Sequence, residues 1–565
     1  MGKLTPVGKW RFHGASNMHT LAMFIEPGVE AGGWGGEGVL VGRRVANEAF
    51  LRALVRYGDV ARYLFFIGEQ SQVPAVQAFV NSLAHIDPQR ISIAHRLDLP
   101  DLLAAGEISV LHHESHWGWY FDLVAMRDRY ASTHVPVTGQ IHSLSYPRML
   151  ESYLRGYLNA PGLGDAVFCS SESGRLALDE TLLSVQRLAG ARGWPLEPMA
   201  FERALVPLGI DIEALEASAA RFPRSEMRAR LSIGETALVL LCLGRFSEYD
   251  KMDLFPLIRV FARLLAQNQG REVHLILAGA RQGTGTPEMV KLWGQAMGVA
   301  GRLHVVVDFP VEEKGGWIAA SDVFVSPSDN VQETFGLSVI EAMALGIPVI
   351  ASDFDGYRDT IPDSVGWRVA TIPEADLSSL SEWGMSLYER PLHFLLGQGT
   401  SVDPAALLQT LAAVCADEPS RLAKGVAAKS WARATYSWEA IIPQYERVWR
   451  KLRLNHKRNS TAKMMGINFR HVFRGHFDVS VSSSAPLKVS LHADAIKMHV
   501  HPELKSLFDE GDVNLALAFV KASAPSSAQL CQYLETQRFA DGLKGRLAAQ
   551  ILSAWLLKHG LIERT

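Results

Sequence analysis

The segment SDNVQETFGLSVIEAMALGIPVIASD, Ser328 to Asp353, holds two carboxylates, Glu333 and Glu341, around a short FGLS run that opens a helix. A helix start offers unpaired backbone N–H groups and the positive end of the macrodipole, so it invites an anion. Carboxylates placed there must read some other part of a ligand. Sugar hydroxyls fit, because an ionised carboxylate is acceptor-only and can take two or more hydrogen bonds from a vicinal diol. A phosphate then falls to the N–H groups of Phe335, Gly336 and Leu337 and to cations. GRFSEYDK supplies those as Arg245 and Lys251, one planar fork and one point charge, a pair suited to a diphosphate. Taken alone, two glutamates eight apart describe a solvated face; with these neighbours they describe a nucleoside diphosphate sugar.

Such residues need a rigid frame. Between Ala237 and Asp353 the chain runs through ALVLLCLG, VHLILAG, LHVVVDF, DVFVSPS and IPVIASD, each short, apolar and bounded by Gly, Pro or Asp. Buried parallel strands have this pattern. DVFVSPS ends just before Glu333, and ALVLLCLG ends at Gly244, just before Arg245. GLSVIEAMALG reads as a helix stopped by Gly346 with Pro348 beyond. The first part repeats the rhythm more loosely, with LAMFI, YLFFIG, ISVLHH, VPVTGQI and AVFCSS as strands and VANEAFLRALVRYG as a helix between them. Strands alternating with helices predict an α/β architecture: a Rossmann-like domain over residues 1–205 and a second over 206–454, with a cleft between them. Ligands of such sheets bind beyond the carboxyl ends of the strands. SWARATYSWEAIIPQYERVWRKLRL closes this body as one or two amphipathic helices, the last of which can pack back on the first domain. NHKRNSTAKMMG reads as a linker to an accessory module, residues 467–565.

GRFSEYDK, LILAGA and VSPSDNVQETFGLSVIEAMALGIPVIASD, with the spacing between them, resemble the retaining glycosyltransferases of GT-B fold in family GT4. The resemblance is strong from about Val206 to Leu454 and looser before it. It implies that Glu333 holds donor-sugar hydroxyls, Glu341 binds the ribose diol, and Arg245 and Lys251 neutralise the diphosphate. His142, in VTGQIHSLS, would approach the donor sugar near its anomeric centre. The glycine-rich GGWGGEG stretch (Gly32, Gly33, Gly35 and Gly36) and Asp355, Gly356 and Tyr357 of SDFDGYRD would line the cleft; a plain loop and a plain surface turn are the rival readings. Such enzymes usually need no bound metal or other cofactor. The partners implied are a nucleotide-sugar donor, most often UDP-linked, and a hydroxylated acceptor: a glycan, a lipid-linked sugar, a peptide or a protein.

The rest of the chain narrows the alternatives. Its 565 residues carry 56 Lys+Arg and 59 Asp+Glu, a net charge of −3, which argues against bulk nucleic-acid binding. The cysteines, Cys169, Cys242, Cys415 and Cys531, are far apart and read as buried thiols in a reducing cytoplasm. MGKLTPVGKWRFHG has no apolar core of a signal peptide, and no run is long enough to span a membrane, while peripheral membrane contact stays open. His112, His113 and His116 read as a polar loop rim, and His492, His499 and His501 likewise lack a metal-ligand pattern. In the third region HFDVSVS and LKVSLHA predict a hairpin, followed by three helices in a winged-helix-like module. Its last helix is expected to bury Leu547, Ile551, Ala554 and Trp555 with Lys558 at the edge. That module either selects the acceptor or serves as a structural cap. Two rivals to the enzyme remain: a sugar-binding scaffold that has lost catalysis, and a regulator acting through a nucleic-acid-binding tail.

Overall fold

The short apolar runs become two parallel sheets. The computed structural model describes residues 19–25, 42–83, 87–159, 162–267, 270–282, 286–373, 380–383, 386–387, 389–454, 472, 484–491, 493, 500–539 and 542–565. The first sheet has strands β1 (Thr20–Phe24), β2 (Arg62–Ile67), β3 (Ile91–His95), β4 (Val110–His113), β5 (Val137–Gln140), β6 (Ala166–Cys169) and β7 (Glu202–Leu205), in the order β3-β2-β1-β4-β5-β6-β7. The second has β8 (Leu238–Leu243), β9 (Val273–Gly279), β10 (Leu303–Val307), β11 (Val323–Ser326), β12 (Val349–Ser352) and β13 (Gly366–Val369), in the order β10-β9-β8-β11-β12-β13. Strand order reverses between β1 and β4 and between β8 and β11, and crevices open at such switch points. This is the two-domain Rossmann-like arrangement expected of GT-B. No helix among the described residues is long and apolar enough to cross a membrane.

Strands β3, β7 and β13 went unmarked in the sequence reading, and all three are sheet edges. ISIAH, ERAL and GWRV are only partly buried, so they lack the continuous apolar run of a strand covered on both faces.

Charge pins the end of each sheet away from the cleft. Ahead of β6, Asp165 accepts from the Arg127 guanidinium at 2.8 Å and from Val137 N–H at 2.9 Å. Ahead of β11, Asp322 accepts from the fully buried Arg228 at 2.8 Å and from Val239 N–H at 2.7 Å. Both networks sit at amino ends, which leaves the carboxyl ends free for ligand chemistry.

The helix Trp438–Leu454 crosses back to the first domain. Its Trp438, Ile441, Ile442, Tyr445 and Trp449 share a core with Leu21, Phe50, Tyr63 and Phe168. The Tyr445 ring lies 4.4 Å from Phe168 and 4.8 Å from Phe50, close aromatic packing that ties the returning helix to the first domain.

The third region is a small helical body with its own core around Leu487, Val513, Leu530, Leu552 and Leu556. Helices Glu510–Ser523, Ser527–Gln537 and Leu543–Lys558 lie between two short strands, β16 (Leu487–Val489) and β17 (Ile562–Arg564), which pair antiparallel; a second two-stranded ribbon, β14 (Thr371–Pro373) with β15 (Thr400–Val402), belongs to the second domain. The hairpin expectation is corrected in part: LKV pairs with the chain's last strand, while HFDVSVS lies outside the described residues. The two strands therefore close the ends of the module and do not form a wing after the helices. The last helix is also turned by about one position from expectation. It buries Ala548, Ala549, Leu552, Trp555 and Leu556, leaving Leu547 half-buried and Ile551 and Ala554 exposed. LLKHGLI ends in a strand that draws the helix inward, a constraint invisible to helical periodicity.

This module is docked on the first domain. Asp101 caps the start of Leu543–Lys558, accepting from Leu543 N–H at 2.8 Å and Lys544 N–H at 3.0 Å, and Lys544 pairs with Asp98. Glu503 accepts from Gln70 N–H at 2.8 Å and Ser71 N–H at 3.3 Å. The receiving loops follow β2 and β3, so the module sits along the carboxyl rim of the first sheet.

Candidate active site

The loops after β8 and β11 build the second domain's share of the cleft. Ser328 Oγ donates to Lys251 O at 3.1 Å and Asn330 Nδ2 donates to Tyr249 O at 2.8 Å, which ties the two loops together. The Lys251 ammonium pairs with the Glu333 carboxylate, and both side chains are largely buried. The Arg245 guanidinium donates to Gln282 Oε1 at 2.9 Å and to Asp250 O at 3.2 Å. The Asp250 carboxylate accepts from Gln282 at 2.9 Å and lies 3.2 Å from Arg390. Both of the Arg245 acceptors are neutral, an amide oxygen and a backbone carbonyl.

Glu333 leads into a helix start of unusual geometry. Gly336 takes φ 90°, and a Cβ there would come within 2.2 Å of the Tyr357 ring. Only glycine allows both, and the result is a bare N-terminus for the helix Leu337–Ala344. Phe335 is buried in the core, so its contribution to the cleft is the backbone N–H alone. Glu341, one turn in, is buried and paired with Lys314; its Oε2 has no hydrogen-bond partner among the described residues. A buried carboxylate oxygen without a donor is costly unless a ligand or water completes it.

Tyr357 is a correction to the expected cleft lining. It is fully buried, with its hydroxyl 2.6 Å from Ser326 Oγ, and it supports the floor beneath Gly336. Gly356 is likewise a contact residue, since a Cβ would meet Thr334 O at 2.2 Å. Asp355 does face this region and adopts φ 42°, a backbone state L residues rarely hold. Burial and then the Glu333 charge push its carboxyl up to about 8. The glycines Gly32, Gly33, Gly35 and Gly36 lie outside the described residues.

The first domain closes onto these loops. Ser171 Oγ donates to Thr334 O at 2.8 Å, Thr334 Oγ1 donates to His142 O at 3.2 Å, and Ser173 Oγ donates to Asp355 O at 2.9 Å. Asp359 accepts from the backbone N–H groups of Glu172 and Ser173 at 3.1 and 3.3 Å. Tyr146 OH donates to Gln332 Oε1 at 3.0 Å. His142, Glu333 and Lys251 are therefore brought to one place from three distant stretches. Lys314, Thr334, Gln282 and the Ser171–Asp359 seam were missed by sequence reading. Thr334 stood inside the quoted motif, while nothing in VEEKGGWIAASD marks Lys314 as a partner for Glu341.

Behind His142 lies a small, mainly apolar chamber of about 20 Å³, where Met23, Phe50 and Leu208 meet the polar Asn47, Glu114 and Gln140, with room for about one water. Asn47 donates to Glu114 at 2.6 Å and Tyr445 OH donates to Gln140 at 2.7 Å. The histidines predicted as a loop rim are buried instead: His112 and His113 belong to β4, and His116 Nε2 lies 2.7 Å from Tyr153 OH. Burial holds His112 down at about 3 and His116 at about 4, so both are neutral. Among the described residues no group of three or more His, Cys, Asp or Glu could hold a metal. Cys169, Cys242 and Cys415 are buried and Cys531 half-buried, with burial pushing the Cys169 and Cys242 thiols up to about 12.

Residues 223–383, which carry Arg245, Lys251, Glu333 and Glu341, match the family model of the glycosyl transferases group 1. This segment belongs to the group 1 glycosyl transferases. It is 34 % identical over 167 residues to a D-inositol 3-phosphate glycosyltransferase of Geodermatophilus obscurus, covering 28 % of this chain and 35 % of that protein. A D-inositol 3-phosphate glycosyltransferase of Frankia alni is 26 % identical over 307 residues, 50 % of this chain and 70 % of the relative. The chain thus aligns with between about a third and seven-tenths of these relatives' lengths. In three dimensions a glycosyltransferase from Rickettsia africae superposes with a TM-score of 0.53 at 12 % identity, over 78 % of this chain and 100 % of that one. That likeness concerns the fold, and it spans both sheet domains around the group 1 segment.

Proposed function

We propose that this protein is a retaining glycosyltransferase that moves a sugar from a UDP-linked donor to a hydroxylated acceptor. One observation carries the reading: two cations, a bare helix N-terminus and a carboxylate converge at the carboxyl ends of β8 and β11, facing the His142 loop of the other domain. The names of the curated relatives, which specify glycosyl transfer, agree with it.

The roles follow from charge. Arg245, Lys251 and the N–H groups of Phe335–Leu337 receive the diphosphate and stabilise its charge as the bond to the anomeric carbon breaks. Glu333 accepts hydrogen bonds from donor-sugar hydroxyls, and Glu341 Oε2 accepts from the ribose diol. Retention without a covalent enzyme intermediate has the acceptor oxygen attack on the face the leaving group vacates. The anomeric carbon–phosphate oxygen bond breaks, the new carbon–oxygen bond forms on the same side, and the departing phosphate oxygen takes the acceptor's proton. The Arg245 and Lys251 charges would supply the neutralisation that other transferases obtain from a metal, and a cytoplasmic setting would suit a nucleotide-sugar donor.

A thermal-shift screen of nucleotide sugars tests donor binding. A ligand present at 100 times its Kd adds about 2.7 kcal/mol of stability. A UDP-sugar should raise the melting temperature, and product anomer analysis by NMR should then give the donor's own anomeric configuration. No shift with any nucleotide sugar, or an inverted product, would refute the assignment.

A further inference from the structure

A cluster of polar and aromatic side chains on the first domain's rim has no role in donor binding. Trp119, the first residue of the helix Trp119–Tyr130, is 45 % exposed. The Arg96 guanidinium lies 4.5 Å from the centre of its ring, and Phe24 supports the ring from 6.1 Å. Phe24 ends β1 and Arg96 follows β3, so this platform stands at the carboxyl rim, where ligands meet a parallel sheet.

Three of its buried polar atoms lack hydrogen-bond partners among the described residues. The buried Nε of Arg96 is one of them. Gln70 Oε1 and Gln72 Nε2 are also buried without partners. The three are contiguous through Gly68. Gly68 N–H donates to Gln72 Oε1 at 2.9 Å, and a Cβ on Gly68 would come within 1.7 Å of Arg96 Nη2, so the guanidinium lies directly over that glycine. Orphaned buried donors and acceptors mark places where something other than the protein completes the hydrogen bonding. The C-terminal module forms the far wall, with Glu503 fixing the Gln70 and Ser71 backbone.

We infer that Trp119, Arg96, Gln70 and Gln72 form a saccharide subsite on the acceptor side, so that the acceptor is a glycan whose further unit reaches beyond the reacting hydroxyl. The chemistry matches on both faces of a sugar ring. An exposed indole offers an apolar plane to the C–H face, while amide and guanidinium groups of mixed donor and acceptor character suit hydroxyls, which both donate and accept. The inference rests on the glycosyl-transfer reading, and it gives the docked module a place in acceptor binding that the donor constellation leaves open.

The test is saturation-transfer NMR of the full-length protein with methyl glycosides and disaccharides of glucose, mannose and galactose. Wild-type protein should bind at least one of them, with Trp119→Ala weakening it about tenfold or more and Trp119→Phe retaining most of it. Arg96→Met should weaken binding in the same direction without removing the ring. Equal binding by wild type and Trp119→Ala, equal loss in Trp119→Ala and Trp119→Phe, or no saccharide binding by the wild type would each overturn the subsite. The donor screen on the wild type is independent of these outcomes: a UDP-sugar shift with no saccharide binding defeats the subsite alone, and absence of that shift defeats the enzymatic reading itself.

Discussion

The two sheet domains present their carboxyl rims to the same cleft with opposite chemistry. The rim of the second is charged: Arg245, the Lys251–Glu333 pair and the Lys314–Glu341 pair stand on loops after parallel strands. The rim of the first is polar and aromatic, with His112 and His116 held uncharged by burial and Trp119 exposed beyond them beneath the Arg96 guanidinium. A diphosphate needs fixed charges with little reorganisation, whereas a hydroxylated acceptor needs hydrogen bonds and a flat apolar surface. For the proposed glycosyl transfer, one fold would divide the two substrates between two copies of the same architecture by changing what the loops carry.

The sharpest way to break this contrast is at Glu333. Glu333→Ala should lower kcat by about 10²-fold or more, the scale of losing one group that stabilises a transition state, while a nucleotide thermal shift persists. Unchanged turnover would remove the charged rim from the chemistry. Lys251→Met should act on binding. Hydrogen bonds to charged groups contribute about 1.5–3 kcal/mol, so UDP affinity by calorimetry should fall about tenfold to a hundredfold.

Acidity separates two buried groups, one in each domain, that titrate in opposite senses. Asp329, beside Asp253 at a cavity of about 290 Å³ behind the β11 loop, is pushed up to about 8 by burial, then by the Asp253 charge. A carboxyl whose folded pKa lies above its unfolded value of 3.8 binds its proton more tightly in the native state. Its contribution to stability is present below pH 3.8 and is lost as pH rises towards about 8. His112, lowered from 6.5 to about 3, behaves in reverse: its contribution is present above pH 6.5 and is lost as pH falls towards 3. Asp329→Asn should therefore raise the melting temperature relative to wild type more at pH 8 than at pH 5. Equal differences at the two pH values would contradict the assignment.

The smallest effect concerns the module that leans on the first domain's rim. Asp101→Ala removes the cap of Leu543–Lys558 and should cost about 1 kcal/mol, visible as faster proteolytic release of residues 484–565 with the sheet domains intact. Unaltered protection would mean that the cap does not hold the module in place.

Much of this design is written in local sequence. Short apolar runs bounded by Gly, Pro and Asp specify the buried strands, because a strand covered on both faces can carry little else. The donor motif was legible for a related reason: Glu333, Gly336 and Glu341 lie within one strand–loop–helix unit, where spacing along the chain translates directly into spacing in the site. The edge strands β3, β7 and β13 were not legible, since half-exposed strands mix polar and apolar residues. Tyr357 was read as cleft lining because a residue near a strand end has no local mark of which way it points.

Tertiary structure alone decided the rest. Lys314 reaches Glu341, Ser173 reaches Asp355 and Trp449 reaches Thr138 across separations that no periodicity encodes. His112 and His116 became neutral core groups because β4 and the loop after it carry them into the interior, where desolvation outweighs the charge they would hold in water. The unpartnered side-chain atoms of Arg96, Gln70 and Gln72 likewise come together only when the segments after β2 and β3 fold side by side beneath the C-terminal module. Local sequence determines which residues can form strands, helix starts and charged loops; which of them meet, and which lose their water, is set by long-range packing.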